Sequence, residues 1–259
     1  MDKKYKTGLA LSGGGVKGLA HAGAMKALEE HGIKPDIISG TSAGAIAGAL
    51  YCAGYTPDQI CTLFKKKDFN DFVEFTLPKS GLFATTGFVK FLEEHIEYEN
   101  LEDLPIPLLV TATNLDKGSS VTFTKGKLSR TVMASACIPV IFTPVEIENE
   151  KYVDGGIFKN FPVSPLRNLC EQVIGINASP LVTEKYSNNI VSIAERSYHF
   201  MFRANILEDK KLCDILVEVE SVMQYKTFDL KKVDIIYEQG YLATMEALKN
   251  LDYSQQNPI

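Results

Sequence analysis

The sequence predicts an α/β fold with three layers, in which helices cover both faces of a mainly parallel central sheet. Short apolar runs that end in turn-forming residues alternate with helical segments along the first part of the chain, an order that is typical of parallel sheets. The 259 residues, of which 45% are hydrophobic, are enough for one domain with a full core.

The first predicted elements form a β-α-β-α start. A short apolar strand over Thr7–Ser12 runs into glycines and is followed by a helix from about Leu19 to His31. A second strand over Asp36–Ser39 leads into an alanine-rich helix over Ala43–Ala53. Thr56-Pro57-Asp58-Gln59 has the pattern of a capping box with proline in the first helical position, so we expect another helix to begin there.

The later elements continue this alternation. They are a strand Leu108–Thr113, a helix Leu128–Cys137, a hairpin of Val145–Ile147 with Lys151–Val153, a short helix from Ser164, a strand Gln172–Asn177, a helix of about Ile190–Leu207, a strand Ile215–Val219 and a helix of about Lys232–Leu251. Residues 64–92 are rich in phenylalanine and fit no single period. No repeat or clear linker divides the chain, so we expect one domain over residues 1–259.

Composition excludes some classes of function. The formal net charge of −5 and the absence of a basic block argue against nucleic acid as a partner. The five cysteines are scattered, odd in number and free of any CxxC spacing. We interpret them as small core residues in a reducing compartment, and we expect neither a disulfide framework nor a metal site.

The segment 37–57 carries no charged residue and has roughly the length of a membrane span. Its glycines and hydroxyl residues make it turn-forming and only mildly hydrophobic, so a buried helix explains it better. The N-terminus is basic, but a glycine-rich turn follows it where a signal peptide would have an apolar core. We therefore predict a cytoplasmic protein without a transmembrane segment.

The corner between the second strand and the second helix carries the strongest motif, Gly40-Thr41-Ser42-Ala43-Gly44. In a nucleophile elbow, a serine at such a corner has a strained backbone and an exposed hydroxyl, and the glycines on either side let strand and helix approach closely. A helix N-terminus also favours developing negative charge. The alternative is a tight turn in which Ser42 only caps the helix.

A second motif, Gly13-Gly14-Gly15-Val16-Lys17-Gly18, lies between the first strand and the first helix. Its letters fit a dinucleotide fingerprint, but Asp36 stands at the start of the second strand, where it cannot hold a ribose. An oxyanion hole fits better, because consecutive glycines let backbone N–H groups face one point. The two strands should be neighbours, so this loop and Ser42 should share one edge of the sheet.

A serine nucleophile needs a base, and the four histidines are poorly placed for this role. They are His21, His31, His95 and His199. Only His199 follows the chain order of an α/β-hydrolase triad, and it lies within a predicted helix. Asp154 remains, either as a simple turn residue of an Asp-Gly pair or as a base. A carboxylate that acts directly on a serine should be shielded from water, which raises its pKa.

These motifs, in this order, resemble the patatin-like phospholipases, and more closely the short bacterial members related to neuropathy target esterase. The family pattern is a Gly-Gly-Gly-x-[Arg/Lys]-Gly loop, a Gly-x-Ser-x-Gly elbow and a late Asp-Gly-Gly/Ala, and Ala134–Pro139 fits its Ala-Ser-x-x-x-Pro block. The motifs cover about residues 8–167. The resemblance implies a single patatin-like domain, with a C-terminal helix-strand-helix part over 168–259 packed on the same core.

The resemblance implies a Ser–Asp dyad without a histidine. Ser42 would be the nucleophile, Asp154 the base, Gly13–Gly18 the oxyanion hole, and Gly155-Gly156 the loop after the aspartate. Family members hydrolyse esters of phospholipids, lysophospholipids or other acyl lipids, so neither a cofactor nor a metal is expected. Lys17 stands where many members have arginine, which keeps the charge but loses the planar fork.

The resemblance also gives a second interpretation of residues 64–92. They are either ordinary core or a mobile flap over an acyl pocket. The lipid-facing candidates are Phe72, Phe75, Leu82 and Phe83. Lysines at 65–67 and 79 either meet anionic headgroups or form a solvated face.

The expected function is that of a serine lipid acyl hydrolase acting on a phospholipid or another acyl ester. Two alternatives are open at this point: an acyltransferase or thioesterase on the same architecture, and a lipid-binding regulatory protein without catalysis. The expected partners are the lipid substrate and no nucleic acid. Peripheral contact with a membrane and the oligomeric state are left open.

Overall fold

The structure, a computed structural model, describes residues 3–65, 67–68, 71–72, 74–75, 81, 83–180, 188, 193, 197, 200 and 205–256. The strands are β1 (Tyr5–Leu11), β2 (Ile37–Thr41), β3 (Glu74–Phe75), β4 (Phe83–Ala84), β5 (Leu108–Asn114), β6 (Ser119–Phe123), β7 (Val145–Ile147), β8 (Glu150–Asp154), β9 (Cys170–Asn177) and β10 (Ile215–Glu218). The helices are α1 (Leu19–Glu30), α2 (Ala43–Cys52), α3 (Pro57–Lys65), α4 (Thr86–His95), α5 (Leu128–Ala136), α6 (Gly156–Lys159), α7 (Ser164–Arg167), α8 (Ile206–Lys210) and α9 (Val233–Gln256).

The central sheet has the strand order β10-β9-β1-β2-β5-β8-β7, and β6 also pairs with β5. The five strands from β10 to β5 run parallel. Strands β6 and β8 run antiparallel to β5, and β7 runs antiparallel to β8. The predicted mainly parallel sheet is confirmed, with an antiparallel extension at one side.

Both faces of the sheet are covered, as the side-chain alternation of β1 shows. Leu9 and Leu11 belong to the larger apolar cluster, which includes residues of α1, α2 and α9. Ala10, between them, belongs to a second cluster with Val163 and Leu166 at α7. Because neighbouring strand residues point to opposite faces, the two clusters are the two interfaces of a three-layer α/β/α fold.

Two strands meet end to end on β5. Parallel strand β2 pairs with the first half of β5, where Thr41 lies opposite Thr111. Antiparallel strand β8 pairs with the second half, where Asp154 lies opposite Ala112. The carboxyl ends of β2 and β8 therefore face each other one residue apart along β5, and the chain that leaves β2 starts beside Asp154.

The C-terminal helix α9 crosses α1 at backbone contact. A methyl group on Gly23 of α1 would overlap Tyr237 O, and one on Gly240 of α9 would overlap Ala20 O. Only glycine, which has no side chain, fits at such a crossing. Strand β10 extends the sheet beside β9, and β9 in turn pairs with β1, so the C-terminal part shares both a helix crossing and the central sheet with the first part of the chain.

Several local predictions are confirmed in detail. Helix α3 begins at Pro57, and the capping box is reciprocal: Thr56 N donates to Gln59 Oε1 (2.9 Å) and Gln59 N donates to Thr56 Oγ1 (3.3 Å). The predicted hairpin turns at Glu148 and Asn149, which have φ of 52° and 65°, as a tight two-residue hairpin turn requires.

Strand β6 and helix α4 were not assigned from the sequence. Helix α4 lies partly inside the phenylalanine-rich stretch, where no single period is visible because strands and turns share the same residues. The helix predicted over about 190–207 falls mostly on residues that the structure does not describe.

Candidate active site

Ser42 and Asp154 are in direct contact. Ser42 Oγ donates a hydrogen bond of 2.6 Å to Asp154 Oδ2, a length typical of a hydroxyl bound to a carboxylate. The serine residue is 6% exposed and the aspartate 1%. The two residues therefore form a hydrogen-bonded pair that is almost completely withdrawn from water.

Ser42 has a backbone conformation that residues with a side chain rarely adopt, with φ of 53° and ψ of −121°. A methyl group on Gly40 would lie 2.6 Å from the carbonyl carbon of Gly44, and one on Gly44 would overlap Leu11 O. The residue before the serine is also held in place, since Thr41 Oγ1 donates a hydrogen bond of 2.8 Å to a backbone carbonyl in α6. The predicted elbow geometry is present.

The surroundings of Asp154 raise its pKa from 3.8 to about 6. Burial is the main cause, because it penalises the charged form; hydrogen bonds from Ser42 Oγ and Gly156 N partly offset this effect. Gly156 N donates to Asp154 Oδ1 at 2.7 Å. A methyl group on Gly155 would overlap Thr111 O, so this glycine lets the loop after the aspartate lie against β5.

The end of helix α5 holds both members of the pair. Ser135 Oγ accepts a hydrogen bond from Ser42 N (2.8 Å) and donates one to Thr111 O (2.6 Å). Two residues further on, Cys137 O accepts a bond of 2.8 Å from Asp154 N. One short segment therefore fixes the backbone of the serine and the backbone of the aspartate.

Two amides of the glycine-rich loop are already used within the protein. Gly13 N donates to Asn160 O (2.9 Å), and Val16 N donates to Thr227 O (2.8 Å). The two amides between them donate no backbone hydrogen bond to any other residue that the structure describes. Within the loop predicted to form an oxyanion hole, Gly13–Gly18, the amides of residues 14 and 15 are therefore candidate donors to a ligand.

The same loop flanks the elbow. A methyl group on Gly13 would lie 3.2 Å from Ser42 Cβ, and one on Gly18 would overlap the side chain of Ala43. Gly15 has φ of 60° and lies against Thr227, so only glycine fits there without strain. Lys17 is buried, which differs from the exposed charge that a surface loop would normally carry.

The described histidines form hydrogen bonds with backbone carbonyl groups. His21 Nε2 lies 2.8 Å from Ser12 O and must donate to it, since a carbonyl only accepts. Burial lowers the pKa of His21 to about 4, so this histidine is neutral. His31 and His95 each bond a carbonyl one turn earlier in their own helices. His199 lies outside the described residues.

An apolar cavity that opens to solvent lies beside Ser42. Its walls include Ile46, Phe64, Phe72, Phe88, Ile138 and Phe142. The rings of Phe72 and Phe88 are stacked, with centroids 4.5 Å apart.

The predicted acyl-pocket residues have different outcomes. Phe72 lines the cavity. Phe83 instead lies against Phe142, with ring centroids 6.5 Å apart, and it is not among the described residues that line the cavity. Leu82 and the side chain of Phe75 fall outside what the structure describes. Of the lysines in this stretch, Lys65 pairs with Asp234 at 2.6 Å.

Sequence reasoning did not assign roles to Ser135, Asn160 or Thr227, although all three contact the site through hydrogen bonds to the elbow or the glycine-rich loop. The Ala-Ser-x-x-x-Pro block around Ser135 is the available signal for the first. The other two act mainly through backbone carbonyls, which no residue pattern reveals.

A family model described as patatin-like phospholipase matches residues 9–167. The match covers more than half of the chain and includes the glycine-rich loop, Ser42 and Asp154. The chain belongs to the patatin-like phospholipase family.

This patatin-like chain has curated relatives that are longer. It is 28% identical over 201 residues to an uncharacterized NTE family protein of Mycobacterium bovis, covering 72% of this chain and 56% of that protein. It is 28% identical over 269 residues to patatin-like phospholipase domain-containing protein 7 of Rattus norvegicus, covering 90% of this chain and 20% of that protein. The chain thus spans about half or less of the length of these relatives.

The patatin-like fold also has a counterpart among solved structures. The crystal structure of VipD from Legionella pneumophila matches with a TM-score of 0.51 at 15% identity, covering 95% of this chain and 67% of that one. At this identity the likeness concerns the fold alone. Within the described ranges, no helix of the patatin-like chain is long and apolar enough to cross a bilayer, and no cluster of three or more potential metal ligands occurs.

Proposed function

We propose that this patatin-like protein is a serine lipid acyl hydrolase with Ser42 as nucleophile and Asp154 as base. The observation that carries the proposal is the 2.6 Å hydrogen bond between Ser42 Oγ and Asp154 Oδ2, placed beside an apolar cavity. The family match supports ester hydrolysis, as does a relative named lysophospholipase NTE1 of Mycosarcoma maydis, 25% identical over 285 residues.

In the first half of the reaction, Ser42 Oγ attacks the carbonyl carbon of the ester while its proton passes to Asp154 Oδ2. The carbonyl oxygen becomes an oxyanion, and the amides of Gly14 and Gly15 are the donors proposed to stabilise it. When the ester bond breaks, Asp154 gives the proton to the departing alcohol oxygen. The acyl group is then bound to Ser42 as an ester.

In the second half, Asp154 accepts a proton from a water molecule, which attacks the acyl carbonyl carbon. The tetrahedral intermediate collapses, Ser42 Oγ takes the proton back from Asp154, and a free fatty acid leaves. The same group thus acts as base and acid in each half. This assignment needs no histidine.

The cavity supports an aliphatic acyl chain as the part of the substrate that binds next to the serine. Its described walls carry no charged side chain, and apolar surface removed from water contributes about 25 cal/mol per Å². We expect the alcohol or headgroup part to lie outside these walls. The five free cysteines are in keeping with a cytoplasmic location, which we also propose.

The proposal is tested by labelling and by turnover. A fluorophosphonate probe should label the parent protein and fail to label Ser42→Ala. Incubation with a total lipid extract should release free fatty acids with the parent alone, and the lipid species that disappear name the substrate. Asp154→Asn should keep the fold and lose about 10²–10⁴-fold in turnover.

The outcomes separate hydrolysis from its rivals. Labelling of Ser42→Ala at another serine would contradict the nucleophile assignment. Release of fatty acid only when an alcohol or thiol acceptor is absent, with acyl transfer when it is present, would indicate an acyltransferase. Lipid binding without labelling or turnover by the parent would indicate a regulatory protein.

A further inference from the structure

The turn between α5 and β7, residues 138–142, forms an apolar tip whose apex is exposed and whose last residue, Phe142, is buried. All five residues of this apolar tip are uncharged and apolar, and Val140 at its apex is 76% exposed. The φ of Val140 is 72°, in the left-handed region, where a β-branched residue is an outlier. The fold thus holds an apolar side chain outward in a strained conformation.

The base of the apolar tip is tied down by backbone hydrogen bonds. Phe142 N donates to Ile138 O at 2.9 Å, which closes the turn. Strand β4 holds its outer side: Phe83 N donates to Ile141 O (2.9 Å), and Thr143 N donates to Phe83 O (3.0 Å). Strained residues persist where their surroundings over-determine them, and these bonds supply that constraint.

The apolar tip is continuous with the cavity that reaches the nucleophile. Ile138 and Phe142, at the two ends of the tip, line the cavity together with Ala136 and Ser42. Val140 lies between them, on the solvent side. Val140 is therefore two residues along the chain from a cavity-lining residue on either side.

We propose that the apolar tip docks on the surface of a phospholipid bilayer and inserts Val140 among the lipids. The inference rests on the proposed function, which makes a lipid the substrate. The chain has a net charge of −5 and the tip has no basic residue, so attraction to anionic headgroups does not supply the contact. Docking instead depends on apolar contact, and it brings the bilayer that contains the lipid substrate against the cavity wall.

The test measures binding to vesicles separately from turnover. The Ser42→Ala protein is mixed with sucrose-loaded phosphatidylcholine vesicles, which are sedimented, and its bound fraction is compared with that of Ser42→Ala/Val140→Asn. Asparagine tolerates a left-handed backbone, so this change removes the apolar side chain without adding strain. Leu115→Asn, at another apolar residue that is 51% exposed, is the matched control.

We expect the Val140→Asn change to lower the vesicle partition coefficient by up to about tenfold, the amount that burial of one valine side chain supplies. The Leu115→Asn control should bind as the parent does, and added salt should not weaken binding, because apolar contacts are not screened. Equal binding with and without Val140→Asn, or no binding by the parent, would overturn the proposal.

Two further measurements keep this proposal distinct from the others. If Val140→Asn lowers vesicle binding but the Ser42-containing protein hydrolyses no ester, docking stands and the proposed function fails. If a short-chain soluble ester is hydrolysed but Val140 does not affect vesicle binding, the reverse holds. A concentration-dependent dimer in sedimentation velocity that Val140→Asn abolishes, without vesicle binding by the parent, would assign the tip to a second copy and overturn lipid docking.

Discussion

At the scale of single residues, Asp154 is subject to two opposing influences. Burial raises its pKa, and hydrogen bonds from Ser42 Oγ and Gly156 N lower it, with a result of about 6. A carboxylate with this pKa is still ionised at neutral pH but accepts a proton more readily than an exposed aspartate does. The burial that penalises its charge is therefore what suits Asp154 to act on a serine without a histidine.

The rate of ester hydrolysis should follow the ionisation of Asp154. Because only the ionised carboxylate accepts the serine proton, we expect kcat/KM to rise with pH through a midpoint of about pH 6 and then to level off. Initial rates with a soluble ester, measured across this pH range, give the midpoint of the rise. If the residual activity of Asp154→Asn rises with the same midpoint, the titrating group is not Asp154.

Ser42 carries backbone strain as well as the hydroxyl. At a φ of 53°, backbone strain lowers the stability of a non-glycine residue by about 1–3 kcal/mol. Glycine adopts this conformation without strain, but the greater freedom of its unfolded chain lowers the folding stability by about 0.4–1 kcal/mol. The strain term is the larger of the two.

We therefore expect Ser42→Gly to be more stable than Ser42→Ala by about 1 kcal/mol. Both changes remove the hydroxyl and leave Asp154 without this donor, so their difference isolates the backbone. Urea unfolding of the two variants measures it. An alanine variant as stable as the glycine variant would show that the elbow relaxes and stores no strain.

At the scale of elements, the end of α5 connects the strand that precedes Ser42 with the strand that ends at Asp154. Ser135 Oγ bonds both Ser42 N and Thr111 O, while Cys137 O bonds Asp154 N. A shift of this helix end would move the nucleophile relative to its base. Catalytic geometry tolerates little displacement of this kind, so we regard Ser135 as a positioning residue.

Replacing Ser135 should affect turnover more than binding. Ser135→Ala leaves Ser42 N buried without its acceptor, a loss of about 1–3 kcal/mol, and we expect kcat to fall at least tenfold with KM little changed. Ser135→Thr keeps the hydroxyl and should recover much of kcat. An alanine variant that loses stability but keeps the parent's kcat would limit Ser135 to a structural role.

The local elements were predictable from the sequence because their signals are local. The capping box at Thr56 and the elbow at Ser42 each depend on residues within a few positions. The contact between Ser42 and Asp154 depends on β8 pairing antiparallel with β5, and nothing near Asp154 indicates that pairing. The resemblance to a family supplied the partner of Ser42, whereas composition and spacing left Asp154 open between a base and a turn residue.

Helix α4 and the hydrogen bonds of the glycine-loop amides also could not be predicted from the sequence. Phe88 and Phe91 lie three residues apart on one face of α4, but the surrounding phenylalanines belong to strands and turns and hide this helical spacing in the sequence. Which loop amides are free depends on the carbonyls of Asn160 and Thr227, which belong to distant segments. Backbone partners of this kind leave no trace in residue type.

At the scale of the whole molecule, the C-terminal part contacts the rest of the protein both at a helix crossing and at the site. Helix α9 crosses α1 at the paired glycines Gly23 and Gly240. The segment just before α9 places Thr227 against the glycine-rich loop and Phe228 and Leu230 in the cavity wall. We propose that residues 1–259 unfold as one cooperative domain, since separating α9 from α1 would also open the cavity.

A methyl group at the helix crossing tests this proposal. Gly240→Ala gains up to about 1 kcal/mol of helix propensity, but overlap with the backbone at Ala20 forces the helices apart, and overpacking costs typically 1–3 kcal/mol. We expect a net loss of stability and a Tm lower by roughly 2–4 °C per kcal/mol. Leu242→Ala, at a position that is 51% exposed on the same helix, should change the Tm little.

Scanning calorimetry distinguishes one domain from two. In a single cooperative unit, Gly240→Ala shifts one transition as a whole, and the calorimetric enthalpy of unfolding equals the van't Hoff enthalpy. Activity well below the transition should also fall, because a displaced α9 moves the wall that carries Phe228 and Leu230. A second, lower transition in Gly240→Ala, with the main transition and the activity unmoved, would show instead that the C-terminal part is an independent unit.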